Sequence, residues 1–380
     1  MTRDLIFGLH YNPVRYLPPQ HAIQAAQAMS ASGVVDYMLL YDQLVAWFPQ
    51  VLWTEQNAPL AAIVPDSDSF SDPWLLAGAI SQAVPELGLS ITGDTLRRGP
   101  AEILQSSLTL GRATNGKAVL QLGAGELKQA KPFGHKRSEG LQRMEDVFAI
   151  IRKLLGTDGL VEHQGNVWDY DGAWIGQEKE FTPRFWAMGG GPKLTEIATR
   201  YADGYISLSP QVYNTPEAYA AEVKRISDLL EQEGRDPAAF TFGLWGIVFL
   251  WDDREEFDRV IDNPIFKFQA ATIGRLNQRD WRKERIEPVF PDDWHYALKL
   301  LPHALTDDET RDVINRTPRE MVERFCYKGT PKEVAAELQA FVDAGANALF
   351  PMDYAPYFLG PEHQAHALER QLDLGRALKA

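Results

Sequence analysis

The sequence predicts an α/β protein folded as a single (β/α)8 TIM barrel spanning residues 1–380, and three observations carry that prediction. Eight short apolar runs rich in β-formers recur along the 380 residues. Segments of helical period separate most of them. The runs do not alternate polar with apolar residues, as expected for a parallel sheet whose strands are buried on both faces.

Residues 5–10 (LIFGLH) open the barrel, followed by 37–40 (YMLL), 87–92 (LGLSIT) and 118–123 (AVLQLG). The second half supplies 185–189 (FWAMG), 204–208 (GYISL), 242–250 (FGLWGIVFL) and 347–351 (NALFP). Intervening segments such as DPWLLAGAISQAV, SEGLQRMEDVFAIIRKLLG and TPKEVAAELQAFVDAGAN carry Pro near the start, Gly just past the end, or both, which are helix-boundary signals. Two stretches break the rhythm, about 44–72 after strand 2 and about 252–325 after strand 7. Excursions of that length are functional or carry structure of their own. Trp47 and Phe48 in the first are candidates for an apolar substrate pocket; the plainer alternative is that they fasten the insertion to the barrel.

Composition narrows the function classes. The formal charge is −14 and 45% of the residues are hydrophobic, so a large core is expected, without a basic face for nucleic acid or an anionic membrane. Cys326 is the only cysteine, which excludes an intrachain disulfide and a thiolate metal cluster and suits a reducing compartment. The opening MTRDLIFGLHYNP has too short an apolar run for a signal peptide or a membrane span, and a cytoplasmic protein is expected.

A barrel places its active site at the C-terminal ends of its strands. Those ends offer His10 and Asn12; Asp42 and Gln43; Ser90, Thr92 and Asp94; Gly123, Gly125 and Glu126; Gly189, Gly190 and Gly191; Ser207; and Asp353. Singly, each is also readable as an ordinary loop residue. In MGGGPKLTEI, three glycines lead into a helix start with Pro192, a backbone arrangement suited to an anion, and Lys193 would add charge. The order GxxxxGK[ST] is absent, and LGAGELKQ lacks the third glycine of a dinucleotide fingerprint. No strand end shows an HxH or similar ligand pair, so no metal is expected.

The ordered set LLYDQLVAW, LGLSITGDTLRRGPAEILQ, LGRATNGKAVLQLGAGE, WAMGGGPKLTEIATRYADGYI and GTPKEVAAELQAFVDAGANALF resembles the bacterial luciferase-like flavin and deazaflavin oxidoreductases over nearly the whole chain. It is most similar to the coenzyme F420-dependent branch, and in most detail, through AAIVPDSDSFSDPW and DTLRRGPA, to the phthiodiolone ketoreductase-like proteins. The resemblance implies hydride transfer between the deazaflavin C5 and a carbonyl or activated alkene of an apolar small molecule, in a homodimer. It implies that Asp42 lies beside the ring and that Gln43 faces substrate where relatives usually carry His. Ser90 and Ile91 match a bulge with a non-proline cis peptide behind the ring, and Thr92 a hydrogen-bonding position near it. Gly123 and Gly125 match a turn contacting the cofactor side chain, and Gly189, Gly190 and Gly191 the phosphate loop.

Hydride delivery to a ketone leaves an alkoxide that needs a hydrogen-bond donor within about 3 Å. Glu126 is the first candidate for catalytic acid if burial keeps it protonated, the alternative being a helix-start carboxylate. Gln43 can donate a hydrogen bond but no proton, and His10 is a second proton source unless it is structural. Arg97, Arg98, Lys128, Lys131, Lys136 and Arg137 follow strands 3 and 4 and form a candidate surface for the anionic F420 tail. Two alternatives stay open: an FMN-dependent monooxygenase of the same superfamily, and a non-catalytic flavin- or deazaflavin-binding barrel.

Overall fold

The computed structural model describes residues 4–176 and 178–380. Its strands are β1 (Ile6–Tyr11), β2 (Tyr37–Tyr41), β3 (Gly88–Asp94), β4 (Ala118–Gly123), β5 (Val161–Gln164), β6 (Asp169–Ala173), β7 (Arg184–Met188), β8 (Gly204–Ser209), β9 (Thr241–Leu250), β10 (Tyr327–Gly329) and β11 (Ala348–Asp353). Parallel pairing runs β1-β2-β3-β4-β7-β8-β9-β11 and returns from β11 to β1, so eight strands close the barrel. All eight expected runs are in that ring. The sequence reading missed the antiparallel hairpin β5-β6 and the short β10, which pairs with the last three residues of β9.

Side chains of period 2 divide the barrel into two layers. Met38, Leu40, Leu89, Ile91, Leu120, Leu122 and Phe185 face outward into a core shared with the surrounding helices. Leu39, Val119, Trp186, Ile206, Trp245, Ile247 and Phe350 face inward, and that inner core runs on into the second insertion through Phe257, Phe266, Trp281 and Phe325. Proline opens most of the covering helices, including Pro73–Ala83, Pro100–Ala113, Pro192–Tyr201, Pro216–Gln232 and Pro331–Asp343. Its missing N–H costs nothing at that position.

Both insertions cover the C-terminal mouth. The first folds on itself, Trp53 Nε1 donating to the Val64 carbonyl at 2.6 Å and Ser67 Oγ to Gln50 Oε1 at 2.6 Å. The second contains the helix Pro264–Ile273 and several shorter ones, and it grips the first where Asn263 Nδ2 donates to the Asn57 carbonyl at 2.6 Å. Among the described residues no helix is long and apolar enough to cross a membrane, and no group of three or more His, Cys, Asp and Glu could hold a metal ion.

Candidate active site

A cavity of about 480 Å³ opens at the C-terminal mouth, within the size range of cofactor and ligand sites. It brings together Asp42, Gln43, Trp47, Thr92, Gly123, Gly125, Glu126, Gly189 and Gly190, all singled out in the sequence. The strand ends of β2, β3, β4 and β7 therefore converge. His10, Ser90, Ile91, Phe48, Gly191 and Lys193 are not among its lining residues.

Asp42 is held firmly. Its carboxylate pairs with Arg97 Nη2 at 3.0 Å and Arg98 Nε at 3.2 Å, and it accepts from Trp74 Nε1 at 3.1 Å. Arg97 also binds Asp94 at 2.8 Å and the Asp42 backbone carbonyl, while Arg98 reaches Asp72 at 3.1 Å. These arginines were expected to serve an anionic tail; they are committed instead to fixing the exits of β2 and β3. Gln43 stands in contrast: no hydrogen bond among the described residues engages its side-chain amide, which lines the cavity.

Glu126 sits at the start of the short helix Leu127–Ala130, and both its oxygens accept. Lys128 Nζ lies 2.9 Å from Oε2, and Trp47 Nε1 donates to Oε1 at 3.1 Å. The expected free acid is instead a paired group, one oxygen held by the Lys128 ammonium and the other by the Trp47 indole N–H. Lys128 is 2% exposed, also donates to the Val45 carbonyl at 2.7 Å, and lies 4.4 Å from the Trp47 ring centre. Burial draws its ammonium below the ordinary lysine range against the opposing pull of Glu126. Lys128 thus belongs to the site's interior rather than to a basic surface, and Lys136 pairs with Glu139 at 3.3 Å on the exterior.

Of that predicted basic cluster, only Arg137 lines the cavity. Its Nε is buried and has no hydrogen-bond partner among the described residues, and burial draws its guanidinium down from the usual arginine range. A buried donor left open in this way is costly, which marks Arg137 as a group awaiting an acceptor. Beside it Gly125 has φ +82°, and a Cβ there would lie 2.4 Å from Leu96, so only glycine fits. Gly191 takes φ +99° and leads into the helix Pro192–Tyr201 with no side-chain cap. Lys193 turns away and pairs with Glu145 at 3.1 Å. An open buried donor, a glycine cradle and an uncapped helix start together fit an anionic cofactor.

His10 and β3 require correction. His10 Nε2 lies 2.8 Å from the Phe350 carbonyl, so that nitrogen carries the hydrogen and Nδ1 accepts from the Tyr41 hydroxyl. Burial pulls its pKa down to about 3, leaving a neutral ring behind Tyr41 whose one N–H is held by the Phe350 carbonyl. On β3, Ser90 and Ile91 pair residue for residue with both neighbours, without the expected bulge. The only cis peptide bond among the described residues is Ser209–Pro210. Ser90 Oγ accepts from Gln121 Nε2 at 3.0 Å inside the barrel, Gln121 Oε1 accepts from Trp245 Nε1 at 2.8 Å, and Ile91 faces the helices. Thr92 does reach the cavity, its hydroxyl directed to Met188 Sδ at 3.2 Å.

The sequence reading missed Tyr41, Trp245, Met352 and the 295–298 segment of the second insertion, all of which line the cavity. Tyr41 ends an apolar run and could have been found as its last inward position. Nothing in the sequence separates Trp245 from the other core residues of β9. A smaller chamber of about 70 Å³ adjoins the cavity, sharing Tyr41, Gln43, Trp47, Met352 and Tyr354, and Phe48 lines this one.

Residues 17–348 match the Luciferase-like monooxygenase family. The chain is 25% identical over 344 residues to the phthiodiolone/phenolphthiodiolone dimycocerosates ketoreductase of Mycobacterium tuberculosis, covering 87% of this chain and 85% of that protein. It is 26% identical over 275 residues to the F420-dependent glucose-6-phosphate dehydrogenase of Kineococcus radiotolerans, covering 72% and 73%. An F420-dependent secondary alcohol dehydrogenase, solved in complex with an F420-acetone adduct, superposes with a TM-score of 0.67 at 17% identity, covering 93% of this chain and 97% of that one.

Proposed function

This chain is an oxidoreductase belonging to the luciferase-like monooxygenase family, and from that premise we propose that it uses coenzyme F420 to reduce, or in reverse to form, a carbonyl or activated alkene in an apolar substrate. The observation that carries the proposal is one cavity lined by the open amide of Gln43, by Glu126 with Lys128 paired behind it, and by Arg137, whose Nε has no partner among the described residues. The ketoreductase and dehydrogenase relatives point to the same chemistry. When bound, the deazaflavin supplies a hydride donor and acceptor at C5 that works in two-electron steps.

The protein's part is to bind, orient and manage one proton. Arg137, Gly125, Gly189 and Gly190 would hold the anionic side chain of the cofactor, and Asp42 and Thr92 would lie on its ring side. Gln43 donates to the substrate oxygen and strengthens that bond as negative charge develops there. The proton that completes the alcohol is stored at Lys128 Nζ, 2.9 Å from Glu126 Oε2, and Glu126 relays it into the cavity. Trp47 holds Glu126 in place through its indole N–H and closes the same wall with its ring.

The test is spectroscopic. Purified protein mixed with reduced F420 and a panel of ketones and enones is expected to produce the absorbance of the oxidised cofactor. Tight retention of FMN by the apoprotein, with no binding of F420, would overturn the proposal.

A further inference from the structure

The small chamber beside the cavity is walled by Phe48, Trp53, Phe70 and Phe358, and none of the described residues that line it is charged. Besides tyrosines, Asn12, Gln43, Ser67 and Gln269 interrupt that apolar lining. Gln269, on the helix Pro264–Ile273 of the second insertion, is 4% exposed and lines the small chamber but not the large one. No hydrogen bond among the described residues engages its amide. Neither amide atom is among the buried side-chain atoms left without a partner, so the amide keeps accessible surface facing the chamber, where its N–H can donate to an oxygen of an occupant. Gln43 is also open and is shared by both spaces, and Asn12 adds to the small chamber a buried Oδ1 with no hydrogen-bond partner among the described residues.

We propose that the small chamber is a specificity subsite for a second, uncharged oxygen of the substrate, recognised by Gln269, while the reacting carbonyl stays at Gln43. The inference rests on the large cavity being the reaction chamber. The substrate class is then a bifunctional compound with a ketone or alkene at the reacting end, a short apolar spacer, and a ketone, ester or hydroxyl oxygen beyond it. The chamber of about 70 Å³ takes about five water-sized groups, since each needs about 10–15 Å³. An arm of roughly that many heavy atoms fills it. Carboxylates and phosphates are excluded at this end, because an ion would be desolvated without a counter-charge.

Binding to the apoprotein, read by fluorescence of Trp47 and Trp53, tests this without turnover. Heptane-2,6-dione is expected to bind about tenfold more tightly than heptan-2-one, the yield of one hydrogen bond of about 1.4 kcal/mol. The anion 5-oxohexanoate is expected not to bind the chamber. Gln269→Leu, with Gln269→Met as a second variant of similar volume, should shrink the dione's advantage to under twofold and leave F420 affinity intact. The subsite is overturned if the wild type does not distinguish dione from monoketone, or if both variants keep the full difference. Should neither variant fold, the wild-type ranking of dione, monoketone and anion decides alone. F420 binding, measured in parallel, separates the two claims. A dione preference without F420 binding refutes the cofactor reading and keeps the subsite, and F420 binding without the preference does the reverse.

Discussion

The rims that follow β3 and β4 carry arginines of opposite availability. Arg97 and Arg98, after β3, are consumed by Asp42, Asp72 and Asp94. Arg137, after β4, is half-buried and lines the same cavity, its buried Nε having no hydrogen-bond partner among the described residues. Six basic residues in two neighbouring loops look alike in the sequence, but charge that is already paired holds the scaffold and only unpaired charge is free for a ligand. The contrast predicts that the first rim serves stability and the second serves binding.

Removing the committed charge should have the largest effect. Arg97→Ala leaves the largely buried Asp94 carboxylate without its ion-pair partner and Asp42 with Arg98 alone, the two side chains being 7% and 12% exposed. Loss of one member of a buried pair costs about 3 kcal/mol or more. Urea unfolding should register a loss of that order, and a variant as stable as the parent would show that the network contributes nothing.

The next test lies one layer down, where two buried titratable groups on adjoining strands oppose each other. His10, on β1, has its pKa lowered to about 3, so the unfolded chain binds its proton first and stability falls as pH drops from about 6.5 towards 3. Asp353, at the end of β11, has its pKa raised by burial to about 7, so the folded chain holds the proton and stability falls as pH rises from about 4 to 7. Each slope is at most about 1.4 kcal/mol per pH unit. In the shared window the two should largely cancel. Asp353→Asn should therefore unmask a steeper acid-side loss in thermal melts between pH 4 and 6.5, and an unchanged profile would refute the pairing.

How much of this was legible follows from range. Every barrel strand was readable because its signal is a local apolar run, and most pocket-lining positions followed from the rule that sites sit at strand ends. Facing was harder. Ile91 lies between Ser90 and Thr92 yet points to the helices, and a one-residue parity decides which side a side chain serves. Pairing across distance was not readable at all. Arg97 meets Asp42 across 55 residues, and Glu126 meets Trp47 across 79, separations that no spacing pattern encodes. The hairpin β5-β6 escaped because no residue of β6 is buried and its sequence DYDGA carries no apolar run; the turn between the two strands is fixed from outside, by the Asp146 carboxylate accepting from the backbone of Asn166, Val167 and Trp168.

Arg137→Met tests the binding rim itself. It keeps the aliphatic bulk and removes a cation that has no ion-pair partner among the described residues, so the melting temperature should hardly move. F420 affinity should fall about tenfold or more, as expected for loss of a charge-assisted hydrogen bond, and the salt dependence of binding should weaken. An unaltered affinity in titrations at low and high salt would place the anionic tail elsewhere.

The smallest effect is expected at Lys193, and it discriminates most finely. From the sequence, Lys193 adds positive charge to the glycine loop; in the structure its Nζ pairs with Glu145 at 3.1 Å and its side chain is 48% exposed. A pair that open to solvent contributes only a few tenths of a kcal/mol. Lys193→Ala should accordingly change F420 affinity by less than twofold and leave stability nearly unaltered. A tenfold loss of affinity would mean that the lysine leaves Glu145 when the cofactor arrives, so that a committed charge can be recruited. The division between scaffold and binding charges would then hold only for pairs as buried as Arg97 and Asp42.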